Sequence, residues 1–171
     1  MDQLADEPTQ TSLLDGTDSV ARLDAVEKRL DAHAAAITPS GLTEPDPGGS
    51  ERWEAGQVWA HMAEFVPYWH REVESVIGGY DGDPVPFGRT KEDPGRLTGI
   101  EMGRHEAVRQ LKGRVHDAIE DLRRFLSGRT SAEWNAVGRH SVRGEMDVET
   151  IVGRFVVSHL EEHADQLDGL R

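Results

Sequence analysis

Residues 147–170 read DVETIVGRFVVSHLEEHADQLDGL. Asp147 is a good helix N-cap, and Glu149 falls in the first turn, where the helix dipole favours negative charge. Apolar residues then recur at steps of three and four: Val148, Ile151 or Val152, and Phe155. That is the period of a helix with one buried face. Continuing the same steps reaches His159 and His163 before Leu167 and Leu170. Two imidazoles one turn apart therefore extend an apolar stripe, which points them into the protein interior.

The rest of the chain supplies partners for that helix. From about Glu54 to Ile77 the stripe is Val58, His61, Phe65, Tyr68 or Trp69, Val73 and Val76; Pro67 inside it predicts a kink. From about Leu97 to Leu126 it is Val108, Leu111, Val115, Ala118 or Ile119, Leu122 and Phe125. A first helix starts at Asp18 or Ser19, with Val20, Leu23, Val26 or Leu30, Ala34 and Ile37 on its stripe. The segments between are rich in Gly and Pro: TPSGLTEPDPGGS (38–50), GGYDGDPVPFGRTKEDPG (78–95) and SGRTSAEWNAVGRHSVRGEM (127–146). No strand alternation and no internal repeat stand out. Four amphipathic helices without a sheet predict an all-α fold, a four-helix bundle, as one domain over 18–171. Residues 1–17 contain no basic residue and no period, and read as an acidic, disordered tail.

Composition narrows the function. The chain has 171 residues, the size of one domain. Leu, Ile, Val and Phe make up 37 of the 171, just above the roughly 20% below which chains tend to stay disordered, so the core is lean. Lys and Arg number 19 against 32 Asp and Glu, a net charge of −13. That argues against nucleic acid and against anionic membranes as partners. The absence of cysteine excludes disulfides, thiolate metal sites and a cysteine nucleophile. With no signal-peptide pattern and no long apolar run, the expectation is a soluble cytoplasmic protein.

The chemistry is concentrated in histidine. His159 and His163 have the spacing that lets two imidazoles share a metal, and His61 continues the stripe of the second helix in the same way. Buried without partners, such rings cost a few kcal/mol apiece. A divalent ion shared by His61, His159 and His163 removes that cost and keeps a coordination position open for water or substrate. The competing reading is three core histidines with local hydrogen bonds. His33, His70, His105 and His116 flank their stripes and read as surface or rim, and His140 falls in a loop. Other bundle chemistries fail: no Glu-x-x-His pair is present for a di-iron site, no His-Glu-x-x-His, no phosphate-binding Gly-x-x-x-x-Gly-Lys and no serine in a nucleophile elbow.

WEAGQVWAHMAEF (53–65) and WNAVGRHSVRGEMDVETIVGRFVVSHLEEHADQL (134–167) together resemble the DinB/YfiT-like bundle proteins. The first segment carries a Trp about two turns before an interior His. The second carries Trp134, then the His-x-x-x-Gly loop at His140 and Gly144, then the pair His159 and His163. The resemblance implies a DinB-like bundle with long crossover loops in which His61, His159 and His163 hold a divalent metal, zinc or nickel foremost. It also implies a homodimer, and for some relatives a mycothiol- or bacillithiol-dependent S-transferase or isomerase activity with a low-molecular-weight thiol cosubstrate. The maleylpyruvate-isomerase branch has Glu at one last-helix ligand; this chain has His159 there and is more similar to the transferase type. Glu64 and Glu162 are candidates to orient the imidazoles, and are otherwise solvated or ion-paired carboxylates. Arg139, Arg143 and Arg154 are candidates to recognise an acidic group on thiol or substrate. Trp53, Trp59, Trp69 and Trp134 read as packing residues. The alternative function is a non-catalytic metal- or ligand-binding bundle that acts through dimerisation or partner binding.

Overall fold

The computed structural model describes residues 16–45 and 49–170. Most of the stretch expected to form a tail therefore lies outside the described residues; Gly16 and Thr17 already belong to helix α1 (Gly16–Ala35). Leu23, Val26 and Leu30 are buried on α1, Val20 and Ala34 half-buried. Ile37 does not continue the stripe: the helix stops two residues earlier, near Pro39, and Ile37 is 95% exposed.

Helix α2 (Ala55–Gly79) opens with the Glu54 N–H donating to Gln57 Oε1 at 2.9 Å. It buries Val58, His61, Phe65, Trp69, Val73 and Val76, the stripe read from the sequence, and runs through Pro67.

The expected helix over 97–126 is two helices. Helix α3 (Pro94–Gly103) starts earlier, with Pro94 in the first turn and the Asp93 carboxylate accepting the Arg96 N–H at 2.9 Å. Helix α4 (Val108–Leu126) buries Leu111, Val115, Ile119 and Leu122. The chain turns between them because α3 lies close against α2. A Cβ on Gly103 would stand 2.8 Å from that of Ala60, and one on Gly99 would stand 2.6 Å from Glu64 Cγ. Glycine spacing, rather than an apolar stripe, sets this contact.

The two long loops hold structure that the sequence did not announce. Strand β1 (Val85–Phe87) comes from the first; a single helical turn, α5 (Ser131–Trp134), and strands β2 (Val137–His140) and β3 (Gly144–Asp147) come from the second. They form one sheet, with β1 parallel to β2 and β2 antiparallel to β3. The bundle therefore carries a small sheet, against the expectation of none, and His140 sits on a strand rather than in a loop. Strands of three and four residues are too short to show an alternation, and β1 pairs with a segment about fifty residues away.

Asp147 caps the last helix as expected, accepting the Thr150 N–H at 2.8 Å. This helix is continuous but not uniform: α6 (Val148–Val152), a π-helical segment (Gly153–Ser158) and α7 (His159–Gly169). It packs on α1 and α2, and α4 packs on both of those, which closes the bundle. Ion pairs lace the outside: Arg22 with Glu161, Arg29 with Asp165 and Asp168, Arg123 with Asp24 and Glu27. Part-exposed pairs of this kind contribute about 0–1 kcal/mol each. Among the described residues no helix is long and apolar enough to cross a membrane.

Candidate metal centre

The fold brings the three predicted histidines together. His61 on α2 and His159 and His163 on α7 each offer a ring nitrogen within 4.8 Å of the other two. Ring centroids are 5.1 Å apart for His61–His159, 5.0 Å for His61–His163 and 4.6 Å for His159–His163. His61 and His163 are buried, His159 half-buried. Aromatic rings collar the cluster. Trp53 meets His61 edge-on at 5.1 Å and stacks on His163 at 5.9 Å; Phe65 stacks on His159 at 4.3 Å. These contacts restrict ring rotation and keep bulk water from that side.

The outer partners select ring orientations. His163 Nδ1–H donates to Gln166 Oε1 at 2.8 Å, which leaves Nε2 as the lone-pair nitrogen. His61 Nδ1 lies 3.5 Å from Glu64 Oε2 but makes no hydrogen bond, so it is a buried polar atom left unsatisfied. Glu64 is itself gripped by Arg89 at 2.5 Å, and the Arg89 guanidinium lies 3.8 Å from the centre of the Tyr68 ring. Burial raises the Glu64 carboxyl, against the pull of Arg89, and raises the Tyr68 hydroxyl to about 12. Burial, and then the neighbouring imidazoles and arginines, hold His61 and His159 well below the ordinary imidazole range. Both are neutral at pH 7, the form that ligates a metal. An unsatisfied buried nitrogen among three clustered imidazoles, two of them held neutral, is a donor set that suits zinc, nickel, iron or copper.

A cavity of about 560 Å³ opens beside the cluster, and all three histidines line it. Its far wall is aromatic. Trp69 and Phe155 stack at 4.5 Å, and His140 stacks on Phe155 at 5.7 Å. Trp53 and Trp69 thus pack in the core and also line the cavity, beyond the packing role expected of them; Trp59 is wholly buried in the core and Trp134 packs at its edge. Of the candidate arginines, Arg143 and Arg154 line the cavity, whereas Arg139 points elsewhere and pairs with Glu145 at 2.9 Å. Glu162 also lines it. Sequence reasoning missed Arg89, Lys91 and Arg96, which a loop of no visible pattern and the first turn of α3 after it bring to the rim. His140 was signalled only by its place in the His-x-x-x-Gly loop. His33, His70, His105 and His116 stay away from the cluster. His116 belongs to a second grouping with Glu27 and Glu120 on the outer face of the bundle, where Arg123 already pairs with both carboxylates.

The chain is thus a helical bundle in which α2 and α7 bring three histidines to the wall of a cavity. The sequence profile of the DinB superfamily matches residues 22–167, and the chain belongs to that superfamily. Among solved structures it is similar to YfiT from Bacillus subtilis, a probable metal-dependent hydrolase with an unusual four-helix bundle topology. The TM-score is 0.73 at 16% identity, over 96% of this chain and 90% of that one. It is also similar to the mycothiol-dependent maleylpyruvate isomerase, with a TM-score of 0.70 at 9% identity, over 90% of this chain and 61% of the isomerase. At these identities the likeness is one of fold. No curated protein sequence matches the chain.

Proposed function

We propose that the protein is a divalent-metal-dependent enzyme of the thiol S-transferase or isomerase kind, with the metal held by His61, His159 and His163. The observation that carries the reading is the cluster itself: three imidazoles from two helices within 4.8 Å, opening on a cavity large enough for a small molecule. Membership of a superfamily with metal-dependent neighbours supports it. When bound, zinc or nickel supplies Lewis acidity that lowers the pKa of a ligating thiol or water toward neutrality. The chain supplies the rest. Gln166 fixes the tautomer of His163, and Glu64, held by Arg89, stands behind His61. Trp53 and Phe65 keep the rings in place and exclude water from behind them. Because the chain has no cysteine, any sulfur nucleophile comes from a cosubstrate, such as mycothiol or bacillithiol. The homodimer and the cytoplasmic location belong to the same proposal.

Elemental analysis of protein purified without a histidine tag tests the centre. Near-stoichiometric zinc or nickel is expected, with most of it lost in each of His61→Ala, His159→Ala and His163→Ala and none lost in His33→Ala. Unchanged metal in two of the three variants removes the centre. A panel of mycothiol, bacillithiol and glutathione with a generic electrophile then separates an enzyme from a non-catalytic bundle. Thiol-dependent turnover that follows the metal supports the first. Bound metal with no turnover favours a binding protein acting through dimerisation, whose oligomeric state sedimentation equilibrium reads directly.

A further inference from the structure

In a chain of net charge −13, the cavity is lined by five cations, Arg89, Lys91, Arg96, Arg143 and Arg154, against two carboxylates, Glu92 and Glu162. Three of the five are already answered. Arg89 pairs with Glu64 and Asp93, Arg96 with Glu51 at 3.8 Å, and Lys91 with Glu92 at 4.0 Å. Arg143 and Arg154 are not: among the described residues no carboxylate lies within 4.0 Å of either guanidinium. Carboxylates are plentiful, and those lacing α1 to α4 and α7 find an arginine or a lysine.

Both arginines are exposed side chains at the cavity wall, and the backbone that carries each is held from behind. The backbone N–H groups of Val142 and Arg143 donate to His140 Nδ1 at 3.1 and 3.3 Å, and His140 Nε2–H donates to the Arg89 carbonyl at 3.1 Å. His140 is only 4% exposed, so the turn that carries Arg143 hangs from a buried, fully used ring. Arg154 lies in the π-helical segment. An α-helix completes a turn in 3.6 residues, which would carry Arg154 well away from the face of His159, five residues on. The wider i→i+5 turn brings the two toward one face. Each guanidinium carbon is 5.9 Å from the centre of the Phe155 ring, so both charges border one aromatic floor beside the histidines.

We propose that this cavity takes a small molecule bearing an oxyanion, a carboxylate or a phosphate, held by Arg143 and Arg154, with its other end toward the histidine cluster. Guanidinium groups recognise both anions through paired, charge-assisted hydrogen bonds. The direction of the reacting end rests on the metal-centre reading; the anion site does not.

Calorimetric titration of the EDTA-treated protein separates the two. Succinate, inorganic phosphate and uncharged succinamide are the probes, against wild type, Arg143→Gln, Arg154→Gln and, as a control away from the cavity, Arg109→Gln. Saturable binding of succinate or phosphate is expected, weakened about tenfold by each cavity substitution and unchanged in the control. Tighter succinate identifies a carboxylate ligand, tighter phosphate a phosphate ligand. No saturable anion binding, equal binding of succinamide, or wild-type affinity in both cavity variants overturns the proposal. Arginine-dependent binding in a protein that takes up no metal keeps the anion site and removes the metal centre; metal uptake without anion binding does the reverse.

Discussion

Burial is the main cause that lowers the pKa of His61 and His159. Their folded-state pKa values lie below that of a free imidazole, about 6.5. Their contribution to stability is therefore fully present above about pH 6.5. As the pH falls from there toward the lowered values, the unfolded chain binds protons that the folded chain refuses, and stability is lost. Urea midpoints of the EDTA-treated protein are expected to fall between about pH 7.5 and about pH 5.5, and to fall less in the double variant His61→Gln/His159→Gln. An equal fall in both places the titration elsewhere. Gly88 is a second sensitive residue. Its φ is +85°, and a Cβ there would stand 2.3 Å from His140 Cδ2. Gly88→Ala is expected to destabilise by about 1–3 kcal/mol through strain and displacement of His140. Hydrogen exchange of the Val142 and Arg143 amides reads the same event, because both donate to that ring.

Helices meet in this protein by two different rules. Stripes of Val, Leu and Phe join α1, α2, α4 and the last helix, and those were legible at steps of three and four. The contact of α3 with α2 is made instead by the absence of side chains at Gly99 and Gly103. Substituting alanine for glycine should therefore act with opposite signs on adjacent helices. On α4, Gly113 has nothing within 4 Å of an added Cβ, and Gly113→Ala is expected to stabilise by about 0.5–1 kcal/mol through helix propensity. Gly103→Ala meets Ala60 and is expected to lower the thermal midpoint. An unchanged or raised midpoint in Gly103→Ala would show that close packing does not govern α3. The π-helical segment is the other departure from a regular element. It lies directly before His159, and its extra width changes which residues share the histidine face.

For the molecule as a whole, a metal at the cluster links ligation to folding, because the ion binds the folded arrangement of two separated segments. At about 100 times its dissociation constant a ligand adds roughly 2.7 kcal/mol. For a chain of this length that corresponds to a rise in thermal midpoint of roughly 5–10 °C. Zinc or nickel is expected to raise the midpoint of wild type by that order and to leave His61→Ala/His163→Ala unmoved. A rise of the same size in the variant would assign the effect to surface carboxylates such as the Glu27–Glu120 grouping.

The periodic part of this protein was determined along the chain itself. Spacing placed the core faces of four helices, put His61, His159 and His163 on those faces, and marked Asp147 as a cap. Each of these is a local property, fixed by which residues fall on one side of a turn. Three features came only with tertiary structure: the sheet joining loops about fifty residues apart, the glycine contact that divides 97–126 into two helices, and the cationic cavity. Loop arginines have no period, so nothing local shows which way they face. Arg139 and Arg143 lie four residues apart in one hairpin, yet one pairs outward with Glu145 and the other borders Phe155. Only the pairing of the strands beneath them, and the wide turn beneath Arg154, decides which charges face the histidines.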